Sequence, residues 1–164
     1  MGADVKILAI DPGAERSAFV IWDGQIIHEM NIWPNLFLIK ALDPENIDIQ
    51  FAIWPQSPSA CVIEEVRSYG MAVGKDIFQT VRWCGRFEQA YGPEFVKYIG
   101  RMEVKMHLCH TSRAKDTNIR QALIDRFGPP GTKKAPGLTY GLKKDIWSAF
   151  ALAVTWWDKM QRRE

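Results

Sequence analysis

The sequence predicts an α/β domain with a mixed five-stranded central sheet and helices on both faces. Three observations carry this. The apolar run "VKILAID" is followed at once by two more strand-like runs joined by short turns. Two later apolar runs each follow a helical connection, so they run parallel to the first strand. Residues 75–91, 116–127 and 144–160 carry apolar side chains at spacings of three and four, the period of a helix with one buried face.

The elements follow in order. Val5, Ile7, Leu8, Ala9 and Ile10 read as a strand over 4–11 buried on both faces, ending at Asp11 before the turn residues Pro12 and Gly13. "RSAFVIWD" at 16–23 reads as strand two. Asp23-Gly24 is a hairpin signal, and "GQIIHEMNIW" continues as strand three, so the first three strands are antiparallel. "PNLFLIKAL" is a short helix with Pro34 near its start. Residues 43–59 are rich in Pro, Asp, Asn and Ser and read as a connection with a short helical piece. "ACVIEEV" is strand four and "RSYGMAVG" a loop. Ile77, Val81, Cys84, Phe87 and Tyr91 mark the helix at 75–91. "VKMHLCH" at 104–110 reads as strand five. Ile119, Leu123 and Phe127 mark the helix at 116–127. "GPPGTKKAPGLTYGL" at 128–142 is irregular, and Ile146, Ala149, Phe150, Ala153 and Trp157 form one face of the last helix.

A chain of 164 residues and 18.8 kDa fits one domain, 1–164. It has no apolar run of membrane-spanning length and no secretion-type start, so a cytoplasmic protein without membrane contact is expected. Cys61, Cys84 and Cys109 are odd in number and far apart, which suits reduced thiols better than disulfides or a zinc site. The net charge of +2 decides nothing about partners. Lys and Arg nevertheless gather at 97–105, 113–126, 133–134, 143–144 and 159–163, mostly in the second half, a distribution compatible with a phosphate-tracking face and explained equally well by a solvated surface. His107 and His110 lack a third soft ligand and read as structural or nucleic-acid-facing. Trp156 and Trp157 are expected to pack the last helix.

Three acids sit where core elements meet their rim. Asp11 ends strand one. Glu64 and Glu65 end strand four, and only one of them shares a side with Asp11 because neighbouring strand residues face opposite ways. Asp145 opens the last helix, where the helix dipole favours an acid and where it would ordinarily serve as a cap. The ordinary reading of the Glu pair is one exposed acid and one paired with an Arg such as Arg67. Three close carboxylates repel unless cations hold them, and hard cations take oxygen ligands. Two Mg²⁺ about 4 Å apart activate a water and stabilise the leaving oxygen of a phosphodiester. The set therefore points to phosphodiester hydrolysis. No Ser-His-Asp or Cys-His grouping competes for the role.

Taken in order, "ILAIDPGAERSAFVIWDG", "VIEEVRSYGMAVGKDIFQTVRWCGRFEQAYG" and "KKDIWSAFALAVTWW" resemble the RuvC family of Holliday junction resolvases, in the style of its short phage members. The resemblance runs over nearly the whole chain. It implies the ribonuclease H-like fold, with Asp11, Glu64 and Asp145 as catalytic metal ligands. The choice of Glu64 over Glu65 comes from it. The family's final helix carries two acids three residues apart, and the second falls on Ser148, a neutral and poorer ligand that would hold a metal-bound water or mark weakened catalysis. Two Mg²⁺ per site, replaceable by Mn²⁺, are implied, with Lys115 near the cleft to stabilise charge on the scissile phosphate.

The resemblance also implies a homodimer that contacts through the 75–91 helix, because two symmetric cuts in a four-way junction need two sites about a two-fold axis. Arg67, Tyr69, Met71 and Lys75 would touch phosphates or exposed bases, and Lys133, Lys134, Lys143 and Lys144 would contact phosphates. Three other readings stay open. Sugar kinases and actin-like ATPases start with a similar strand and turn, but they need two such domains around a nucleotide, so no nucleotide cofactor is expected. A catalytically faded binder of branched nucleic acid and a nuclease for flaps, forks or structured RNA are the others.

Overall fold

The structure, a computed structural model, describes residues 5–43 and 58–162. Five strands form one sheet: β1 (Ile7–Asp11), β2 (Arg16–Trp22), β3 (Ile27–Pro34), β4 (Ala60–Glu65) and β5 (Val96–Gly100), in spatial order β3-β2-β1-β4-β5. β1, β2 and β3 pair antiparallel, while β4 runs parallel to β1 and β5 parallel to β4. This is the mixed sheet expected from the sequence. The helices are α1 (Asn35–Leu42), α2 (Lys75–Tyr91), α3 (Arg101–Cys109), α4 (Asp116–Phe127) and α5 (Ile146–Gln161). Among the described residues, no helix is long and apolar enough to cross a membrane. Most of the connection expected over 43–59, like Asp4 at the expected start of strand one, lies outside the described residues.

The period of two along each strand sorts the core into two layers. Ile7, Ala9, Ala18, Val20, Trp22 and Val62 face α3, α4 and α5. Leu8, Ile10, Phe19, Ile21, Cys61 and Ile63 face α1 and α2. α5 is apolar nearly all round, with Ala149, Phe150, Ala151, Leu152, Ala153 and Val154 all buried. It lies against β1 and β2 under a cover of α3 and α4, so no side of it meets much water. Trp22, Phe127, Phe150 and Trp157 form an aromatic cluster there, with Trp22 edge-on to both phenylalanines.

The hairpin between β2 and β3 turns on Asp23-Gly24, as expected. Asp23 Oδ1 accepts from the backbone N–H of Gln25 and Ile26, both at 2.8 Å. Gly24 has φ of +91°, and a Cβ there would stand 2.2 Å from the Trp157 ring, so the turn tolerates only glycine.

One expected element is corrected. The fifth strand is not 104–110 but β5 at Val96–Gly100, and 101–109 is α3. The alternation of Met102, Val104, Met106 and Leu108 imitates a strand. In the helix, Val104 and Leu108 turn to the core while Met102 and Met106, also four apart, stay exposed. β5 itself hides because it is an edge strand, with Lys97 and Tyr98 both exposed and no clean alternation. His107 and His110 therefore sit on α3 and at its C-cap rather than on a strand.

Candidate active site

β1 and β4 end side by side, with Ile10 opposite Ile63 in a parallel register. The next residues on each strand are Asp11 and Glu64. Asp11 shares its parity with Ile7 and Ala9, and Glu64 shares its parity with Val62, so both carboxylates fall on the α5 side. Glu65 falls on the other side, where it accepts from Arg67 Nε at 2.8 Å. The register thus gives the physical reason for Glu64 over Glu65, and of the two acids it is Glu65 that pairs with Arg67.

Asp145 is the N-cap residue of α5 but makes no capping hydrogen bond with its side chain. Its carboxylate instead lines a cleft of about 300 Å³ shared with Ser148, Trp147 and Lys144 of the α5 start, Arg101 of α3, and Asp116, Thr117, Ile119 and Arg120 of α4. Lys144 has φ of +47°, a left-handed conformation uncommon for a side chain of this kind, at the turn that delivers Asp145.

The acids interact. Burial, then the negative charges of Glu64 and Asp145, push the Asp11 carboxyl well above the usual range; Arg101 and a hydrogen bond from the Ser148 hydroxyl act against this. Burial also raises Glu64, opposed by the adjacent Arg101 guanidinium. Arg101 Nη1 donates to Glu64 Oε2 at 3.2 Å, and its Nη2 pairs with Asp116 Oδ1. Among the described residues, no three Asp, Glu, His or Cys side chains stand close enough to hold one ion as placed. The donors present, carboxylates and a hydroxyl, are those a hard cation accepts, and Glu64 is the one engaged elsewhere.

The turn after Asp11 is held by uncharged groups. Ser17 Oγ accepts from Gly13 N–H at 3.1 Å and donates to Asn35 Oδ1 at 2.7 Å, while Asn35 Nδ2 donates to Gly13 C=O at 2.9 Å. Ser17 and Asn35 are both buried. A Cβ on Gly13 would sit 2.2 Å from the Arg16 carbonyl oxygen, so the close return of the chain requires glycine.

The basic residues singled out in the sequence spread over a wider surface. Only Lys144 lines the cleft. Lys115 is the exposed N-cap residue of α4, next to cleft-lining Asp116. Lys133 and Lys134 sit at the tip of a tight hairpin closed by reciprocal backbone bonds between Thr132 and Ala135, each 3.1 Å. Lys143 is exposed one residue before Lys144. Tyr69 is exposed with φ of +49° in the loop after β4, with Met71 exposed beside it. Lys75 begins α2 and borders a separate groove with Phe78, Arg82 and Arg86. Arg101, Asp116 and Arg120 escaped the sequence reading. Recognising Val96–Gly100 as a strand parallel to β4 would have placed Arg101 at the same rim as Glu64.

No protein-family model matches the chain, and no curated protein matches it. The domain, a mixed five-stranded sheet with helices on both faces, has a ribonuclease H-like fold, and solved structures share it. The chain is similar to Thermus thermophilus RuvC at 18% identity and TM-score 0.62, over 96% of this chain and 97% of that one. It is also similar to T. thermophilus RuvC in complex with a Holliday junction substrate, at 15% identity and TM-score 0.61, over 96% of each chain. At such identities the likeness establishes the RuvC-like fold.

Proposed function

We propose that this protein is a divalent-metal-dependent endonuclease that cuts branched DNA, four-way junctions foremost, and acts as a homodimer. The observation that carries the reading is the convergence of Asp11, Glu64 and Asp145 from two parallel strand ends and a helix start on one side of the sheet. The fold shared with a protein solved on a Holliday junction substrate supports the choice of DNA form.

Asp11, Glu64 and Asp145 would hold Mg²⁺ or Mn²⁺, two ions per site, with Ser148 as an outer partner. Bound there, the ions supply a nucleophile from water and stabilise the leaving oxygen. The chain does the rest. The Ser17–Asn35 network fixes the turn that aims Asp11. Ser148 orients the Asp11 carboxylate through its hydroxyl. Lys144 and Arg120 offer positive charge along the cleft, and Lys115, beside cleft-lining Asp116, would stabilise charge on the scissile phosphate. Arg67, Tyr69, Lys75, Lys133, Lys134 and Lys143 would track the DNA arms, a contact whose strength falls steeply with salt. For the dimer, α2 presents Ile77, Phe78 and Val81 exposed, with open space over Gly85.

The test is cleavage of a labelled four-way junction beside matched duplex, fork and flap, in Mg²⁺, Mn²⁺ and EDTA, with products mapped to the nucleotide. Paired symmetric nicks at the junction that vanish in EDTA are expected. Equal cutting of flap or fork would move the reading to another structure-selective nuclease. Tight junction binding with no cut in any metal would make Ser148 the mark of a binding protein.

A further inference from the structure

We infer that Arg101 is a positioning residue that holds Glu64 away from the other acids until a divalent cation displaces it, with Asp116 as the anchor that keeps the displaced guanidinium in the cleft. The inference rests on the metal-dependent reading above.

The backbone places Arg101 at the acid rim. Glu64 pairs with Ile99 and Glu65 with Gly100 in the parallel register of β4 and β5. Arg101 is the next residue, at the first position of α3, and so emerges beside the end of β4. Its guanidinium then spans two acids of opposite character. The Glu64 side chain is 18% exposed and the Asp116 side chain 78%. The Arg101–Glu64 contact, at 3.2 Å, is long for a charge-assisted hydrogen bond, which runs about 2.7–2.9 Å, while the other guanidinium nitrogen pairs with Asp116. An ion pair to so exposed an acid contributes little to stability. What Asp116 does is hold one end of the guanidinium at the cleft wall that both residues line.

The charge arrangement explains why the other end rests on Glu64. Glu64 and Asp145 both act on Asp11 as like charges, and among the described residues Arg101 is bonded to Glu64. Its bond also occupies Glu64 Oε2, an oxygen the three-acid set needs. A guanidinium and a metal ion do not share that oxygen, because like charges at contact distance repel strongly in a partly buried site. Metal entry therefore requires the 3.2 Å contact to open. The bond to Asp116 survives the opening, which leaves a planar donor pair facing the cleft where a phosphate would lie.

Two measurements on the intact protein without DNA test this. The first is Mn²⁺ affinity from the electron paramagnetic resonance of free Mn²⁺, for wild type, Arg101→Met, Lys144→Met and Asp11→Asn, with thermal unfolding as the folding control. A neighbouring opposite charge shifts a carboxylate's cation affinity by ~10-fold or more, so Arg101→Met is expected to bind Mn²⁺ about tenfold tighter. Lys144→Met, which removes a cleft charge not bonded to Glu64, is expected to change affinity less than about threefold. Folded Arg101→Met that binds no tighter than wild type overturns the inference, as does an equal tightening in Lys144→Met. The second needs no variant. In wild-type protein the Arg101 side-chain ¹⁵N–H resonances should shift on Mg²⁺ addition with the midpoint of metal binding; resonances that stay put while metal binds overturn the inference alone. Absence of Asp11-dependent Mn²⁺ binding in wild type overturns the metal reading and this inference together.

Discussion

α5 has a cluster of charges at each end, and the two clusters are built on opposite plans. At the C-terminal end, one acid has two partners: Asp158 takes a bidentate contact from Arg126 at 2.6 and 2.8 Å and a bond from His107 Nε2 at 2.7 Å. At the N-terminal end, the negative charges of Glu64 and Asp145 both act on Asp11, and Arg101 divides itself between Glu64 and Asp116. Burial raises both Asp11 and Asp158. For Asp158 the hydrogen bonds from Arg126 and His107 overcome that and hold the carboxyl below its usual range. For Asp11 the neighbouring acids add to burial and drive it further up. The satisfied cluster ties α3, α4 and α5 together. The unsatisfied one is held in place by the rest of the fold, and under the proposed reading it is the end that would take a cation, the usual trade of stability for function.

The largest expected effect comes from removing the charge at the unsatisfied end. Asp11→Asn should lower metal-dependent cleavage by at least ~10³-fold, since ligation contributes several kcal/mol to the transition state. Junction binding should persist in a gel-shift assay. The same change should raise the melting temperature in EDTA. The folded-state pKa of Asp11 lies above its unfolded value of about 3.9, so its ionisation costs stability above the folded pKa, and the cost is relieved as pH falls toward the unfolded value. Unchanged cutting would sink the assignment of Asp11.

The satisfied end should respond in the opposite sense. Asp158→Ala leaves Arg126 and His107 without their acid and should destabilise the fold by ~2–4 kcal/mol in urea unfolding. The pH dependence inverts too. The folded pKa of Asp158 is depressed, so its stabilisation is fully present above about pH 4 and is lost as pH falls through the folded value. Wild type should therefore lose more stability than Asp158→Ala on acidification below about pH 4. Parallel pH profiles for the two proteins would mean the clamp contributes nothing.

How far the sequence disclosed these two ends depends on how each is built. Asp11, Glu64 and Asp145 were legible because each ends or begins an apolar element, and chain order alone marks such rims. Glu64 was separated from Glu65 only by family likeness; in the structure, strand parity does it through Val62 and Ile63. Arg101 was lost with the misplaced fifth strand, because Met102 and Met106 lent α3 a false alternation. The Asp158 cluster was not legible at all. Its members are 32 and 51 residues apart in sequence, and side chains from three helices meet there only through the crossing of those helices. Ser17 and Asn35 were hidden similarly, as ordinary polar residues in a strand and at a helix start. Losing that pair should matter next most: Ser17→Ala strands Asn35 Oδ1 and Gly13 N–H, at a cost of ~1–3 kcal/mol. Cleavage should fall with it, since Asp11 then loses its fixed turn. A stable Ser17→Ala protein with full activity would show that the strand pairing of β1 alone aims the acid.

The smallest expected change sharpens the contrast by adding to the frustration. Ser148 lies three residues beyond Asp145 on α5, on the same helix face, and its hydroxyl donates to Asp11. Ser148→Asp replaces that donor with a fourth acid, so in EDTA the melting temperature should drop by a few degrees, about 1 kcal/mol, from added like-charge repulsion. Adding Mn²⁺ should recover more of the loss than it adds to wild type, because a cation satisfies all four acids at once. The size of the metal-induced shift relative to wild type is the decisive quantity. A larger Mn²⁺ stabilisation in Ser148→Asp than in wild type places position 148 within reach of the ion. An equal one means Ser148 serves the Asp11 carboxylate and never the metal, and the site then works with three acids because the hydroxyl supplies orientation rather than charge.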